Sequence, residues 1–180
     1  SALALGTNYL GTFSPSVANQ TTGDGSGSIA WNFSVADSAL DYLAAGQVLT
    51  QTYAVTVNDQ QGGTDVHNVV ITITGTNDAP VASAASVAVN EDATISGNVS
   101  ASDADAGETA SLVYTLNSAA PTGLTFNSDG SYSFDASSYD SLVKDATQVL
   151  TIPYTATDAQ GATSVANLVI TITGTNDAPV

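Results

Sequence analysis

The sequence predicts an all-β protein built from two tandem sandwich modules, and three observations carry that expectation. Apolar residues alternate with Thr over Val55-Thr56-Val57, Val69-Val70-Ile71-Thr72-Ile73 and Leu168-Val169-Ile170-Thr171-Ile172. Period two puts the apolar side chains on one face of a strand. Turn signals separate such runs at Asp24-Gly25, Gly62-Gly63, Asn127-Ser128-Asp129-Gly130 and Asp158-Ala159-Gln160-Gly161, a rhythm of short strands and tight turns that suits a sandwich. The third observation is repetition. The run from Ile71 to Val81 returns letter for letter from Ile170 to Val180, an offset of 99 residues, which marks tandem units of one small β-domain each.

The elements follow in parallel order. In the first module, Gly27 to Asn32 reads as a strand, Ala36 to Leu43 as a brief helical turn, and Gln47-Val48-Leu49-Thr50 as the start of a long strand. A hairpin turn at Asp59 to Thr64 and the strand ending at Ile73 complete it. The second module repeats this series with Gly130 to Asp135, Ser138 to Lys144, Gln148-Val149-Leu150-Thr151, Asp158 to Thr163 and the strand ending at Ile172. Leu49 lies ten residues before Asp59 and Leu150 eight before Asp158; a difference of two keeps the same faces buried. The alignment makes Trp31 and Phe134 equivalent core residues, with carbohydrate stacking the rival role for Trp31. Module boundaries are expected at 1–78 and 79–180. The first module has no counterpart of Asn90-Glu91-Asp92 or of Ser102 to Asp105, so it reads as a shorter variant or as truncated. Either case leaves a sheet edge open to association or strand addition.

Seventeen carboxylates face a single cation, Lys144, giving a formal charge of −16. Such a chain has nothing with which to neutralise phosphates, which excludes nucleic acid, and no basic patch for anionic membranes. Self-repulsion on this scale destabilises a compact state unless cations bind. There are no cysteines, so disulfides and thiolate chemistry are excluded. No signal peptide or membrane-spanning segment is evident, and the absence of Met at position 1 reads as a piece of something longer. His67, the only histidine, aligns with Ala166 in a strand and has nothing around it on which to build a catalytic triad. The expectation is a non-enzymatic protein.

The sharpest chemical signal is Asp103-Ala104-Asp105-Ala106-Gly107-Glu108. Alternate acidic residues followed by Gly let one turn present several oxygens to one centre, which suits Ca²⁺ with its six to eight oxygen ligands. The twelve-residue loop of an EF-hand is missing. A solvated acidic turn is the rival reading.

The run Ser102 to Ala110, followed by Leu112 and Tyr114, resembles the acidic motif that opens a cadherin-type repeat. Asp158-Ala159-Gln160-Gly161, an apolar strand, and Asn176-Asp177-Ala178-Pro179 resemble that repeat's second half. The first module, with Ala39 to Gln47 and Gly62-Gly63-Thr64, resembles a bacterial VCBS repeat. The whole resembles consecutive repeats of a giant Gram-negative (RTX-type) surface adhesin, and so implies immunoglobulin-like sandwiches in an extended array. It also implies Ca²⁺ between successive modules: Asn77 and Asp78 meeting Asp103, Asp105 and Asp158; Glu91 and Asp92 at the far end with Asn176, Asp177 and a following module; and Asp59 atop the first module. Asp135 and Asp140 are candidates for a mid-module acidic motif. Two departures stand out. Thr74-Gly75-Thr76 precedes Asn77-Asp78 where the animal linker carries an earlier Asp, and Thr109 stands where Asn is expected. One or two ions are therefore expected at this joint, and an Asx-turn before Pro80 is the purely structural alternative for Asp78.

The function expected is that of extracellular extender repeats at a bacterial cell surface, stiffened by Ca²⁺ for adhesion and biofilm formation. The partners expected are adjacent modules of the same chain and self-association, with a glycan or surface ligand engaged through other domains and no insertion into the membrane. The rivals are a glycan- or peptide-binding module and a strand-exchanging subunit of an extracellular filament.

Overall fold

The computed structural model describes residues 1–19, 27–59 and 61–177. The turn expected at Asp24-Gly25, the Gln60 position and Ala178-Pro179 of the second repeat copy lie outside those residues. The chain divides into two compact units, Ser1–Thr76 and Asn77–Val180.

The first unit contains β1 (Ala2–Ala4), β2 (Thr12–Asn19), β3 (Ser28–Ser34), β4 (Val48–Asn58) and β5 (Thr64–Thr74). β1, β4 and β5 form one antiparallel sheet in that order, and β2 and β3 form a separate hairpin. A 3₁₀ turn at Asp37–Ala39 stands where a brief helical turn is expected. The wholly buried Gln51 ties β4 to the segment that leads into β2. Its amide donates to the Leu10 carbonyl at 3.0 Å and its carbonyl oxygen accepts from the Leu10 N–H. The side chain thus pairs with a backbone as a neighbouring strand would.

The second unit contains β6 (Val81–Ser83), β7 (Ala85–Asn90), β8 (Thr94–Asn98), β9 (Ser100–Ser102), β10 (Val113–Leu116), β11 (Leu124–Phe126), β12 (Ser131–Asp135), β13 (Thr147–Thr157) and β14 (Thr163–Thr173). One sheet has the order β10-β13-β14-β7, with β7 parallel to β14, and the facing sheet has the order β11-β12-β8. Alternating burial along the two long strands decides what lies between the sheets. Ile152, Tyr154 and Ala156 of β13 and Leu168, Ile170 and Ile172 of β14 point inward and are buried against Phe134 and Tyr132 of β12. The Tyr154 hydroxyl reaches the carbonyls of Ser83 and Ser100, fastening the small β6–β9 pair to the sandwich. The all-β sandwich is the fold observed.

Two expectations need correction. The first is the alignment of Gln47–Thr50 with Gln148–Thr151. β4 and β13 are each eleven residues long. Gln51 faces Ile71 across the hairpin as Leu150 faces Ile170, so the structural counterpart of Leu150 is Gln51, not Leu49. The shift of two residues preserves face parity, which is why the sequence identity was compatible with either register. The second is Trp31. Phe134 is wholly buried, whereas Trp31 is 49% exposed, resting on Phe13 (ring centroids 5.7 Å apart). Phe134 lies opposite Ile95 of β8, and among the described residues no strand takes that place beside β3.

The repeated Gly of the 99-residue motif has a packing reason. A Cβ on Gly75 would lie 2.1 Å from the Leu43 carbonyl oxygen, and one on Gly174 would lie 2.4 Å from that of Val143. Both glycines let the end of the last strand hydrogen-bond the loop before the long strand, Gly75 N–H to Gln47 and Gly174 N–H to Ala146, each at 2.8 Å.

Candidate metal centre

At one end of the second unit the chain from Asn77 meets two loops. The first follows β9. Asp103 Oδ1 accepts from the Asp105 N–H at 3.0 Å, an Asx-turn that starts the bend. Gly107 continues it at φ +89°, ψ −7°; open space surrounds its Cβ position, so it is the left-handed backbone that asks for glycine. A 3₁₀ turn at Glu108–Ser111 then leads to the buried Leu112. Thr109 ties the loop closed, its Oγ1 accepting from the Asp103 N–H at 2.8 Å. The second loop is the β13–β14 turn, where Asp158 Oδ1 accepts from the N–H groups of Gln160 (2.9 Å) and Ala162 (2.8 Å).

The Asn77–Asp78 segment is hydrogen-bonded to both. Asn77 Nδ2 donates to Asp158 Oδ2 at 2.8 Å, and the Asp78 N–H donates to Asp105 Oδ2 at 2.9 Å. The Asn77 amide holds the Asp158 carboxyl below the usual carboxylate range, and the Ala162 and Gln160 N–H groups add to the effect. Gln160 Nε2 donates to Glu108 Oε1 at 2.8 Å.

A pattern results. Asp103, Asp105 and Glu108 each have one carboxylate oxygen held by a donor of the second unit. Their other oxygens, Asp103 Oδ2, Asp105 Oδ1 and Glu108 Oε2, are buried and meet no donor among the described residues; nor does Asn77 Oδ1. One oxygen from each of the three acids lies within 4.8 Å of the others, while Asp105 is only 2% exposed and Glu108 9%. Buried oxygens without donors are costly, and like charges this close repel. The only Lys, Lys144, precedes β13, whereas this site follows its far end, roughly 35 Å away along an eleven-residue strand. A cation would remove the penalty. The donor set is all oxygen, which suits Ca²⁺ and not the softer metals, and three clustered carboxylates suit Ca²⁺ better than Mg²⁺. The residues present fit the ion.

The other expected residues fall elsewhere. Glu91, 2% exposed, lies at the opposite end of the unit, where its Oε1 accepts from the Thr175 N–H and its Oε2 has no donor among the described residues. Asp92 sits beside it at φ +65°. Its carboxyl is pushed up, first by the shared hydrogen bond with Asp140 and also by the charges of Asp140, Glu91 and Asp177. Asn176 Nδ2 donates to the Asp177 carbonyl at 2.9 Å, the same bond that Asn77 makes to the Asp78 carbonyl. The Asn-Asp turn is thus encoded locally. Asp59 lies in the first unit, exposed, with its Oδ1 accepting from Gln61 and Gly63 at 2.8 Å each. Those bonds lower its pKa, but no acidic cluster surrounds it among the described residues.

Two residues outside the expected ligand set belong to these clusters. Glu108 stands in the acidic motif, and the left-handed Gly107 is the signal that the chain bends at that point. Asp140 faces Asp92. Asp135, the other mid-module candidate, caps the 3₁₀ turn at Ala136–Tyr139 by accepting from the Ser137 N–H at 3.0 Å.

Solved structures similar to this chain include protocadherin extracellular domains. The protocadherin gamma B2 extracellular cadherin domains 1–5 align with TM-score 0.56 at 18% identity, covering 98% of this chain and 37% of that one. Protocadherin gamma B7 domains 1–4 align at 0.54 and 18%, covering 98% and 47%. Protocadherin gamma C5 domains 1–3 align at 0.52 and 14%, covering 96% and 55%. The chain therefore spans about half the length of those structures or less, and at such identities the likeness is one of fold. No curated protein sequence matches. Among the described residues no helix is long and apolar enough to cross a membrane. The profile of the bacterial cadherin-like domain matches residues 77–174, which run from the first cluster residue, Asn77, to the Gly174 that closes the fold, and the chain belongs to that family.

Proposed function

We propose that this chain is a non-enzymatic, calcium-binding segment of a bacterial surface adhesin's extension region, a VCBS-type repeat followed by a cadherin-like one. The observation that carries the reading is the set of four buried oxygens, at Asn77, Asp103, Asp105 and Glu108, that meet no donor among the described residues. Each sits on a side chain already fixed through its other polar atom, which is how a preorganised ligand is held. In this proposal those residues hold Ca²⁺ with Asp158 beside them. Glu91, Asp92, Asp140 and Asp177 form a second acidic group at the far end.

Asn77 and Asp78 follow directly on the first unit in sequence. A cation held there restrains the point at which the chain enters the second unit, so the ion acts mechanically: it limits hinge motion and stiffens a tandem array. Extracellular calcium modules bind at roughly 10⁻⁴ to 10⁻³ M, a range filled outside the cell. The test is a calcium titration followed by small-angle scattering on the wild type and the Asp103→Ala/Asp105→Ala variant. The proposal expects the wild type alone to gain maximum dimension and thermal stability with calcium. Indifference to calcium in both proteins would refute it.

A further inference from the structure

The last strand of each unit is repeated more faithfully on its surface than in its interior. Thr64, Val66, Asn68, Val70, Thr72 and Thr74 of β5 alternate with the inward-facing Ile71 and Ile73, and β14 carries the same six residues from Thr163 to Thr173 at the offset of 99. On the other face of the same strands, Asp65, His67 and Val69 become Ser164, Ala166 and Leu168. Packing constrains inward residues and leaves solvent-facing ones free, so an outward face kept letter for letter points to something that it touches.

In the second unit this strip belongs to a wider face, the outer side of the sheet β10-β13-β14-β7. None of the four strands contains an Asp, Glu, Lys or Arg, although the chain carries seventeen carboxylates. In the facing sheet β12 ends in Asp135, and the other acids of the unit stand in loops and turns. Val113, Val149 and Val165 are 48%, 57% and 59% exposed on the charge-free face, beside Thr157, Thr171 and Thr155.

The charge pattern selects the occupant. Two chains of net charge −16 repel wherever their acids come close, whereas two copies of this face meet without a carboxylate between them. Tyr114 and Tyr154 of the sheet point inward, so the face offers no ring on which a sugar could stack. At about 3.3 Å per residue and about 4.8 Å between strands, the four strands present about 500 Å². Two such faces cover about 1,000 Å², the lower bound of a specific contact.

We propose that the outer face of β10-β13-β14-β7 is a self-association surface that seats the same face of a second copy, with the exposed valines of β13 and β14 covered between the two sheets. The contact contains no ion pair, so salt strengthens it by screening the repulsion between the acidic remainders. It uses none of the residues of the acidic cluster and stands apart from the calcium reading.

The experiment is sedimentation equilibrium of the whole 180-residue chain, in calcium and in chelator, up to about 1 mM protein and at about 0.05 and 0.5 M salt. A dimer is expected whose share grows with protein concentration and with salt. Val149→Glu/Val165→Glu should weaken it at least about tenfold, because a two-fold contact brings each new charge in from both copies. Val81→Glu/Val143→Glu adds the same two charges at exposed positions outside the four strands and should leave the dimer nearly unchanged; melting curves verify that both variants are folded. A chain that stays monomeric under all these conditions overturns the proposal, as does a dimer that the first variant leaves intact or that both variants weaken equally.

Discussion

Asp105→Asn makes the acidic cluster answer for itself, because its effect on stability should change sign with calcium. Asp105 lies within 4.8 Å of both Asp103 and Glu108, measured between carboxylate oxygens. At that separation each pair repels by about 1 kcal/mol in water and about 3 kcal/mol at an effective dielectric of 20. The amide removes both repulsions while keeping an oxygen to accept from the Asp78 N–H. Its NH₂ brings a donor to the neighbouring oxygens, Asp103 Oδ2 and Glu108 Oε2, that meet none among the described residues. Without calcium the variant should therefore be more stable than wild type by about 1–3 kcal/mol. With calcium at a hundred times the dissociation constant, wild type gains about 2.7 kcal/mol by mass action. For a domain of this size that raises the melting temperature by roughly 10–20 °C, and the variant should lose most of the gain. Thermal unfolding followed by circular dichroism, in chelator and in about 10 mM calcium, reads both effects. A variant less stable than wild type in chelator, with an unchanged calcium increment, would refute the reasoning.

Other expectations concern the rest of the chain. Asp92 titrates above its ordinary value because Asp140 shares its hydrogen bond, so its charged form opposes folding and the penalty disappears as pH falls through the folded-state pKa. Asp92→Asn should therefore raise the calcium-free melting temperature at neutral pH and leave it unchanged near pH 3; an equal gain at both would contradict the origin assigned to it. Gln51→Leu fills the place that Leu150 takes in the second unit but leaves the Leu10 N–H and carbonyl unanswered. It should cost the first unit about 2 kcal/mol in chemical denaturation. Phe134→Ala should destabilise the second unit by about 3–5 kcal/mol, and Trp31→Ala should cost the first unit far less; equal losses would mean that the two side chains are equally buried.

The sequence made much of this legible, for local reasons. Period-two alternation placed the inward face of β14, and Asp158 with Gly161 announced a turn whose hydrogen bonds Asp59 repeats in the first unit. The acidic loop was readable because Asp103 and Asp105 build their own Asx-turn. What escaped the sequence depends on partners far along the chain. Trp31 looked like a core residue because its neighbours match those of Phe134, but burial is decided by the strand alongside. The Gln-Val-Leu-Thr identity suggested a register that the hairpin closure overrides by two residues. Glu108 counted as part of a motif, yet its position in the cluster depends on Gly107 and on Gln160, 52 residues later.

The central claim is that a cation occupies the space between Asn77, Asp103, Asp105 and Glu108. A crystal structure grown with calcium, with anomalous scattering measured at long wavelength, tests it most directly. The account predicts an anomalous peak in contact with Asp103 Oδ2, Asp105 Oδ1 and Glu108 Oε2, lost on Asp105→Asn. Calcium elsewhere on the second unit with none at these oxygens, or water there at saturating calcium, would contradict it.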